Sequence, residues 1–161
     1  MERARYFSYG FALIELLMVI AVLGILTGIL FASLSSSHGK GNETAIKSEL
    51  AVIQTQAVRY YGIGNTYGVP NSGTDASCTQ SGTMFNDATT DIDNPISMAI
   101  SNVRAAVEGG ESGVICRSED TSFLVAAKLS DGIYWCIDSN GAARQIPAHS
   151  VSDTSIMKCP P

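Results

Sequence analysis

Hydrophobic residues are concentrated in one continuous run near the start of the chain. Residues 11–34 hold 11 of the 25 leucines and isoleucines, and Glu15 is their single charged residue. As an α-helix this run would be about 36 Å long, which exceeds the bilayer hydrocarbon thickness of about 30 Å. The pattern predicts a transmembrane helix behind a ten-residue segment that carries Arg3 and Arg5.

Further along the chain, apolar side chains recur at the three- and four-residue spacing of one helix face. They are Ile46, Leu50, Ile53, Ala57 and Tyr60 or Tyr61. The spacing predicts an amphipathic helix over residues 35–62 that packs one face against the rest of the chain. Gly39 and Gly41 precede this stripe, and they are compatible with a joint in one long helix or with a break between two. The glycine-rich residues 62–65 indicate where the helix ends.

A second, shorter helix is predicted in the middle of the chain. Residues 66–93 are rich in glycine and small polar residues, which is typical of a long irregular connection. Asn94-Pro95 then provides an N-cap and a proline at the first helical position. A helical stripe of apolar residues follows over residues 96–107, and the two glycines at 109–110 indicate its end.

Four segments with the composition of β-strands come next, at residues 113–117, 122–129, 133–139 and 143–146. Asp131-Gly132 and Asn140-Gly141, between the last three, favour tight hairpin turns. An antiparallel meander with so few apolar residues cannot form an independent sandwich, so the sheet is expected to close its core on the helical stripe. The predicted fold class is α+β. A long N-terminal α-helix, transmembrane in its first half and amphipathic in its second, packs on a small antiparallel β-sheet head within residues 63–161.

Charge and cysteine content narrow the possible functions. The net charge is −5, and most acidic residues lie in the second half of the chain. Such a surface repels phosphate backbones, so no nucleic-acid partner is expected. The four cysteines are Cys78, Cys116, Cys136 and Cys159, and none has the C-x-x-C spacing of a zinc or redox site. An even number behind a membrane-targeting segment indicates two disulfides in an oxidising compartment, with all three pairings open.

The chain has no motif that is typical of catalysis. No G-x-S-x-G, phosphate-loop or H-E-x-x-H pattern occurs, and His38 and His149 lack acidic or cysteine neighbours at ligand spacing. The tetrapeptide Asp91-Ile92-Asp93-Asn94 is similar to the start of a calcium loop, but the required glycine and distal glutamate are missing. A loop that caps the following helix is favoured instead. We therefore expect no enzyme, no catalytic residue, no cofactor and no bound metal.

The apolar run begins with the sequence Gly10-Phe11-Ala12-Leu13-Ile14-Glu15-Leu16-Leu17. A secretory signal peptide is disfavoured, because the run is longer than the typical h-region of about 7 to 15 residues. A plain signal anchor is also disfavoured, because it does not explain the Glu15 carboxylate. Inserting a carboxylate near a membrane centre costs about 2.5 to 3.5 kcal/mol. The run thus has a glycine, then an aromatic residue, then a glutamate at the fifth position counted from Phe11, and then an uninterrupted apolar helix. This combination resembles the type IV pilin family.

The resemblance implies specific roles for the first residues of the run. Residues 1–10 would be a leader that prepilin peptidase removes after Gly10 on the cytoplasmic side. The new N-terminal residue, Phe11, would be N-methylated. In the filament, the Glu15 carboxylate would pair with the α-amine of Phe11 on a neighbouring subunit, because a buried charge without a partner is heavily penalised.

The chain departs from the family pattern at one position in this helix. Many members have a proline that bends or melts the helix where this chain has Ala32, so no proline-driven melting is expected. Gly24 and Gly28 instead form a G-x-x-x-G pair that would let helices approach closely during assembly. Small residues are also common in membrane helices in general, which leaves a dedicated packing role open.

The resemblance also bears on the disulfides. Pilins often staple a C-terminal loop with a disulfide, which implies a bond between Cys136 and Cys159. The remaining pair, Cys78 and Cys116, would tie the irregular connection to the first strand. Each bond would add about 3 to 4 kcal/mol of stability in the loop-entropy treatment.

These features predict a structural subunit of a type IV pilus, which inner-membrane assembly machinery polymerises into a helical homo-oligomer outside the cell. Before assembly, residues 11–34 would cross the lipid bilayer once, with the leader inside and the head outside. One alternative is a pseudopilin of a type II secretion system, which has the same N-terminal chemistry. The other is a membrane-anchored binding domain that does not polymerise.

Overall fold

The computed structural model describes residues 10–69, 78–86, 94–107, 109–129 and 132–161. The side chains of residues 11–12, 30–38 and 111 are not among those described. The chain divides into two compact units, Met1–Gly39 and Lys40–Pro161. Apart from Gly10, the predicted leader lies outside the described residues, as do the first three residues of the calcium-like tetrapeptide.

The first helix, α1 (Gly10–Gly64), includes both the apolar run and the amphipathic stripe. Its helical backbone continues through residues 38–41, so the break between two helices that the glycines there permitted is not observed. The helix ends inside the predicted glycine-rich stretch. Asn65 takes a φ of 52°, and its N–H donates to the Tyr61 carbonyl at 2.7 Å. Among the described residues, no helix is both long enough and apolar enough to cross a bilayer.

The second helix, α2 (Pro95–Ala106), begins where the sequence predicts. The side-chain oxygen of Asn94 accepts a hydrogen bond from the backbone N–H of Ile96 at 3.0 Å, which caps the helix. Val107, expected at the end of the helical stripe, is instead the C-cap residue with an extended backbone. Its side chain is nevertheless buried.

One antiparallel sheet follows, with its strands in the order β1-β2-β3-β4. The strands are β1 (Val114–Ser118), β2 (Phe123–Lys128), β3 (Tyr134–Asp138) and β4 (Ala143–Ile146). Each begins and ends within one residue of its predicted bounds. Gly141 of the predicted Asn140-Gly141 turn has a φ of 84°, whereas Asp131 of the other predicted turn lies outside the described residues. The α+β class, the long N-terminal helix and the antiparallel sheet are thus confirmed.

The first core of the head lies between the helices and one face of the sheet. Ile46, Leu50, Ile53 and Ala57 of α1 are all buried in it, as the helical stripe predicts. Further members come from α2 and from alternate positions of the strands, among them Ile100, Val103, Val114, Phe123, Val125, Ala127 and Ile137. The segments between α1 and α2 add Tyr67, Met84 and Phe85. Period-two alternation in a strand assigns these positions to a single face.

The opposite face of the sheet is also covered. Residues 147–159, which we name the C-terminal strap, include a 3-10 helix (Ala148–Val151) and otherwise have no helix or strand. Val151 and Cys159 of the strap pack with Leu124, Ala126 and Ile146 in a second apolar cluster. Strand β2 therefore has buried residues on both faces, whereas only one buried face was predicted.

Two disulfides join Cys78 to Cys116 and Cys136 to Cys159. Of the three pairings that the sequence leaves open, this is the one favoured once the pilin resemblance is taken into account. The strand registers explain why the two bonds are separate. Cys116 lies opposite Val125, which belongs to the helix-side core, whereas Cys136 lies opposite Ala126, which belongs to the strap-side cluster. One disulfide therefore lies on each face of the sheet.

Candidate functional site

The exposed part of α1 within the first unit is the main candidate site. We name residues 13–29, whose side chains are described, the apolar segment. Twelve of its large apolar side chains are exposed, between 47% for Val22 and 70% for Met18. They are Leu13, Ile14, Leu16, Leu17, Met18, Val19, Ile20, Val22, Leu23, Ile25, Leu26 and Ile29.

The apolar segment is hydrophobic around the whole helix circumference. At 3.6 residues per turn, apolar residues at nearly every position leave no polar face. A helix of this kind is stable when it is buried in a larger protein or in lipid, and a surface of this size marks an interaction site. The apolar segment is therefore expected to be buried by lipid or protein around its whole circumference.

Two polar side chains interrupt the segment, and they differ in how they are accommodated. The Thr27 hydroxyl donates to the carbonyls of Leu23 at 2.8 Å and Gly24 at 3.1 Å, so this hydroxyl is satisfied within its own helix. Glu15 is exposed and is the single charged residue among residues 13–29. A carboxylate, unlike a hydroxyl, cannot be satisfied by helix carbonyls because it only accepts hydrogen bonds. Glu15 therefore requires a cation or a donor from another group when the segment is covered.

The remaining residues of the predicted assembly site lie along the same helix. A Cβ atom at Gly24 or Gly28 would meet nothing within 4 Å, so the G-x-x-x-G pair is open on the helix surface. Gly10 and Phe11 form the first turn of α1, while the side chain of Phe11 lies outside the described residues. The structure thus places Gly10, Phe11, Glu15, Gly24 and Gly28 on one continuous helix.

The head contains a second polar arrangement, which no motif in the sequence indicates. Arg117 at the end of β1 is only 2% exposed and lies under the C-terminal strap. Its Nη1 donates to the carbonyls of Asp153 at 2.6 Å and Ile156 at 3.0 Å, and its Nη2 donates to the carbonyl of Val151 at 2.7 Å. All three acceptors are strap carbonyls, so one guanidinium satisfies backbone groups that no sheet or long helix pairs.

Burial and local hydrogen bonds shift two pKa values at this arrangement. Burial lowers the pKa of the Arg117 guanidinium, and the nearby Asp153 carboxylate partly opposes this effect. Hydrogen bonds from the side chain and backbone of Ser155 lower the pKa of Asp153, with a smaller contribution from Arg117. Because an arginine loses its proton only at extreme pH, Arg117 remains charged beneath the strap at neutral pH.

No group of three or more metal-ligating side chains lies close enough together to hold a metal ion in the described part of the chain. His149 is exposed at the start of the strap, and the side chain of His38 is outside the described set. Comparisons with protein-family models, with curated proteins and with solved structures found no match to this chain.

Proposed function

We propose that this chain is a structural subunit of a type IV pilus. It is made as a single-pass membrane precursor, processed by prepilin peptidase after Gly10, N-methylated at Phe11 and polymerised through α1 into an extracellular filament. The apolar segment with its single carboxylate carries the proposal. Its side chains are exposed on every side of the helix, and only lipid or other apolar helices can cover such a surface.

Before assembly, lipid covers the apolar segment. The proposed span is residues 11–34, of which the side chains of residues 13–29 are described. Glu15 lies near the start of this span, close to the cytoplasmic interface, where a carboxylate costs less than at the membrane centre. The precursor therefore tolerates Glu15 in the bilayer, and the free-energy cost of the unpaired carboxylate is removed when assembly provides a partner.

During assembly, other copies of the chain replace the lipid. The Glu15 carboxylate of an incoming subunit pairs with the α-amine of Phe11 on its neighbour, which becomes available when the leader is cleaved. Breaking a buried ion pair by removing one partner costs about 3 to 5 kcal/mol, so subunits in the wrong register are disfavoured. Close packing at Gly24 and Gly28 supports the same contact by bringing helix backbones together.

After assembly, the disulfide-tied head forms the filament surface. Removal of residues 1–10 leaves 8 basic and 14 acidic side chains, a net charge of −6. Such a surface repels the phosphates of nucleic acids, so direct DNA capture by this subunit is not part of the proposal. The work of the chain is structural, and we propose no catalytic step.

The experiment compares Glu15→Gln with Met18→Leu and with the wild-type chain, each produced in the cells that naturally make this protein. Glu15→Gln keeps the size of the side chain and removes its charge. Met18→Leu conserves volume at another exposed position of the apolar segment and serves as the control. Membrane fractionation measures insertion, and electron microscopy of sheared cell-surface material measures filaments.

We expect both variants to insert into the membrane, and we expect filaments from wild type and Met18→Leu but not from Glu15→Gln. Normal filaments from Glu15→Gln would contradict the pairing mechanism. Processed wild-type chain without any extended filament would favour a pseudopilin of a type II secretion system. Unprocessed chain that stays monomeric in the membrane would favour an anchored binding domain.

A further inference from the structure

The C-terminal strap is held on the sheet by contacts that do not involve its disulfide. Three strap carbonyls accept hydrogen bonds from the buried guanidinium of Arg117, at 2.6, 2.7 and 3.0 Å. Hydrogen bonds to an ionised donor are stronger than those between neutral groups, particularly where water is excluded. Arg117 belongs to β1, whose position is set by pairing with β2, so this donor is in place independently of the strap.

A buried carboxylate holds the end of the strap. Asp138 is 2% exposed at the end of β3, and its Oδ2 accepts a hydrogen bond from the backbone N–H of Cys159 at 2.8 Å. Its Oδ1 accepts from the backbone N–H groups of Asn140 at 2.9 Å and Ala142 at 3.1 Å. The β3–β4 turn therefore fixes the carboxylate, and the carboxylate in turn fixes Cys159.

The geometry of β3 connects this hydrogen bond to the disulfide. Asp138 and Cys136 are two residues apart on one strand, so their side chains lie on the same face of the sheet. A strap residue bonded to Asp138 is consequently held beside Cys136, and the Cα atoms of Cys136 and Cys159 are 5.8 Å apart. That separation is within the range that a disulfide can bridge.

We propose that Arg117 and Asp138 form a seat that docks the C-terminal strap before the Cys136–Cys159 bond closes. The seat presents Cys159 to Cys136, and it keeps the strap on the sheet when the disulfide is reduced. Both seat residues belong to the sheet, so the seat forms with the sheet and does not need the bond that it helps to make. Arg117 and Asp138 are positioning residues in this process, and the reacting atoms are the two sulfurs.

The step on which the seat acts can be written with a small-molecule disulfide, oxidised glutathione, as the oxidant. One cysteine thiolate attacks glutathione disulfide, which forms a mixed disulfide and releases one glutathione thiolate. The second cysteine thiolate then attacks the protein sulfur of the mixed disulfide, forms the Cys136–Cys159 bond and releases the second glutathione. The two protein thiols are oxidised and glutathione disulfide is reduced. Only the second attack is intramolecular, so only that attack depends on how the strap is held.

The test measures the effective concentration of the Cys136–Cys159 pair in the full chain in detergent. The chain is equilibrated in glutathione redox buffers, free thiols are alkylated, and mass spectrometry of peptides gives the oxidised fraction of each cysteine pair. Arg117→Met removes the guanidinium but keeps much of the side-chain volume. Arg59→Met makes the same change at an exposed position of α1 and is the matched control; Arg144 is unsuitable because it lies directly opposite Cys136 in the β3–β4 register.

We expect Arg117→Met to lower the effective concentration of Cys136 and Cys159 at least about tenfold, because three charge-assisted hydrogen bonds to the strap are lost. The Cys78–Cys116 pair lies on the other face of the sheet and is the internal reference, so it should change by less than about twofold, as should both pairs in Arg59→Met. A Cys136–Cys159 value within twofold of wild type in Arg117→Met would overturn the proposal.

A second pair of measurements covers the case in which Arg117→Met fails to fold. Asp138→Asn keeps the side-chain size and removes the charge, and we expect it to weaken closure of the same disulfide selectively. In Arg117→Ala, guanidinium ion below denaturing concentrations should restore closure in proportion to its binding, because the three strap carbonyls remain to accept its hydrogen bonds. Equal losses at both cysteine pairs in Asp138→Asn, or no recovery of Arg117→Ala with guanidinium, would overturn the proposal.

Discussion

Replacement of Ile53 by alanine tests whether α1 closes the core of the head. Ile53 is fully buried, with 0% exposure, in the cluster that joins α1, α2 and the sheet. The change removes three methyl or methylene groups, worth about 0.8 kcal/mol each in transfer. The cavity that remains adds to this cost, and the better helix propensity of alanine returns about 0.4 kcal/mol. We expect Ile53→Ala to lower the free energy of unfolding by about 3 kcal/mol.

The assay is urea unfolding of the full chain in detergent, followed by the fluorescence of Trp135. Trp135 is the single tryptophan and packs against the same core cluster, so its emission reports on the head. Val58→Ala, at a 67%-exposed position of the same helix, is the control and should change stability by no more than about 0.5 kcal/mol. A loss below about 1 kcal/mol for Ile53→Ala, or equal losses for the two variants, would refute the packing of α1 on the sheet.

Two further predictions concern the head. Gly68 has a φ of 113°, and a Cβ there would collide with the Gly82 carbonyl and the Thr83 Cα, so Gly68→Ala should cost at least about 2 kcal/mol in urea unfolding. Gly62 lies in α1 with open space around it, so Gly62→Ala should instead raise the free energy of unfolding by about 0.5 to 1 kcal/mol. A Gly68→Ala variant as stable as wild type would contradict this reasoning. Burial, with a smaller contribution from Tyr61, raises the pKa of Tyr67 above 10.0. Its contribution to the free energy of unfolding should therefore be complete below pH 10 and lost as pH rises through the raised pKa, and Tyr67→Phe should abolish that loss.

Elements defined by local sequence were predictable. Asn94 and Pro95 mark the start of α2 because an N-cap side chain and a fixed proline φ act within a few residues. Asn140-Gly141 likewise places the β3–β4 turn, since glycine adopts the positive φ of position 141 without steric cost. The spacing of Leu50 and Ile53 indicates the buried face of α1 because helix geometry alone sets it.

The second face of the sheet was not predicted, although β2 contains a signal for it. Residues 123–127 are apolar without alternation, which indicates a strand buried on both faces. The strap that provides the cover has no period of its own, so nothing in its sequence indicates where it packs. Its location depends on tertiary contacts, chiefly those of Arg117 and Asp138.

The two seat residues show why a buried polar site is hard to find in a single sequence. An arginine at a strand end and an aspartate before a turn are both ordinary on a protein surface. The burial of Arg117 depends on strap carbonyls that lie 34 to 39 residues away in the sequence. The burial of Asp138 depends on the N–H group of Cys159, which lies 21 residues away. The residues of the proposed assembly site are easier to find in the sequence, because Gly10, Phe11 and Glu15 lie within six consecutive residues and Glu15 is the single charge in an apolar run.

The most direct test of the proposed function is the intact mass of the chain recovered from filaments sheared off the cell surface. We predict a mass equal to residues 11–161 plus one CH2, the net gain on N-methylation, and minus four hydrogens, since cleavage follows Gly10, Phe11 is methylated and two disulfides are closed. A chain that retains residues 1–10, or filaments that do not contain this chain, would contradict it.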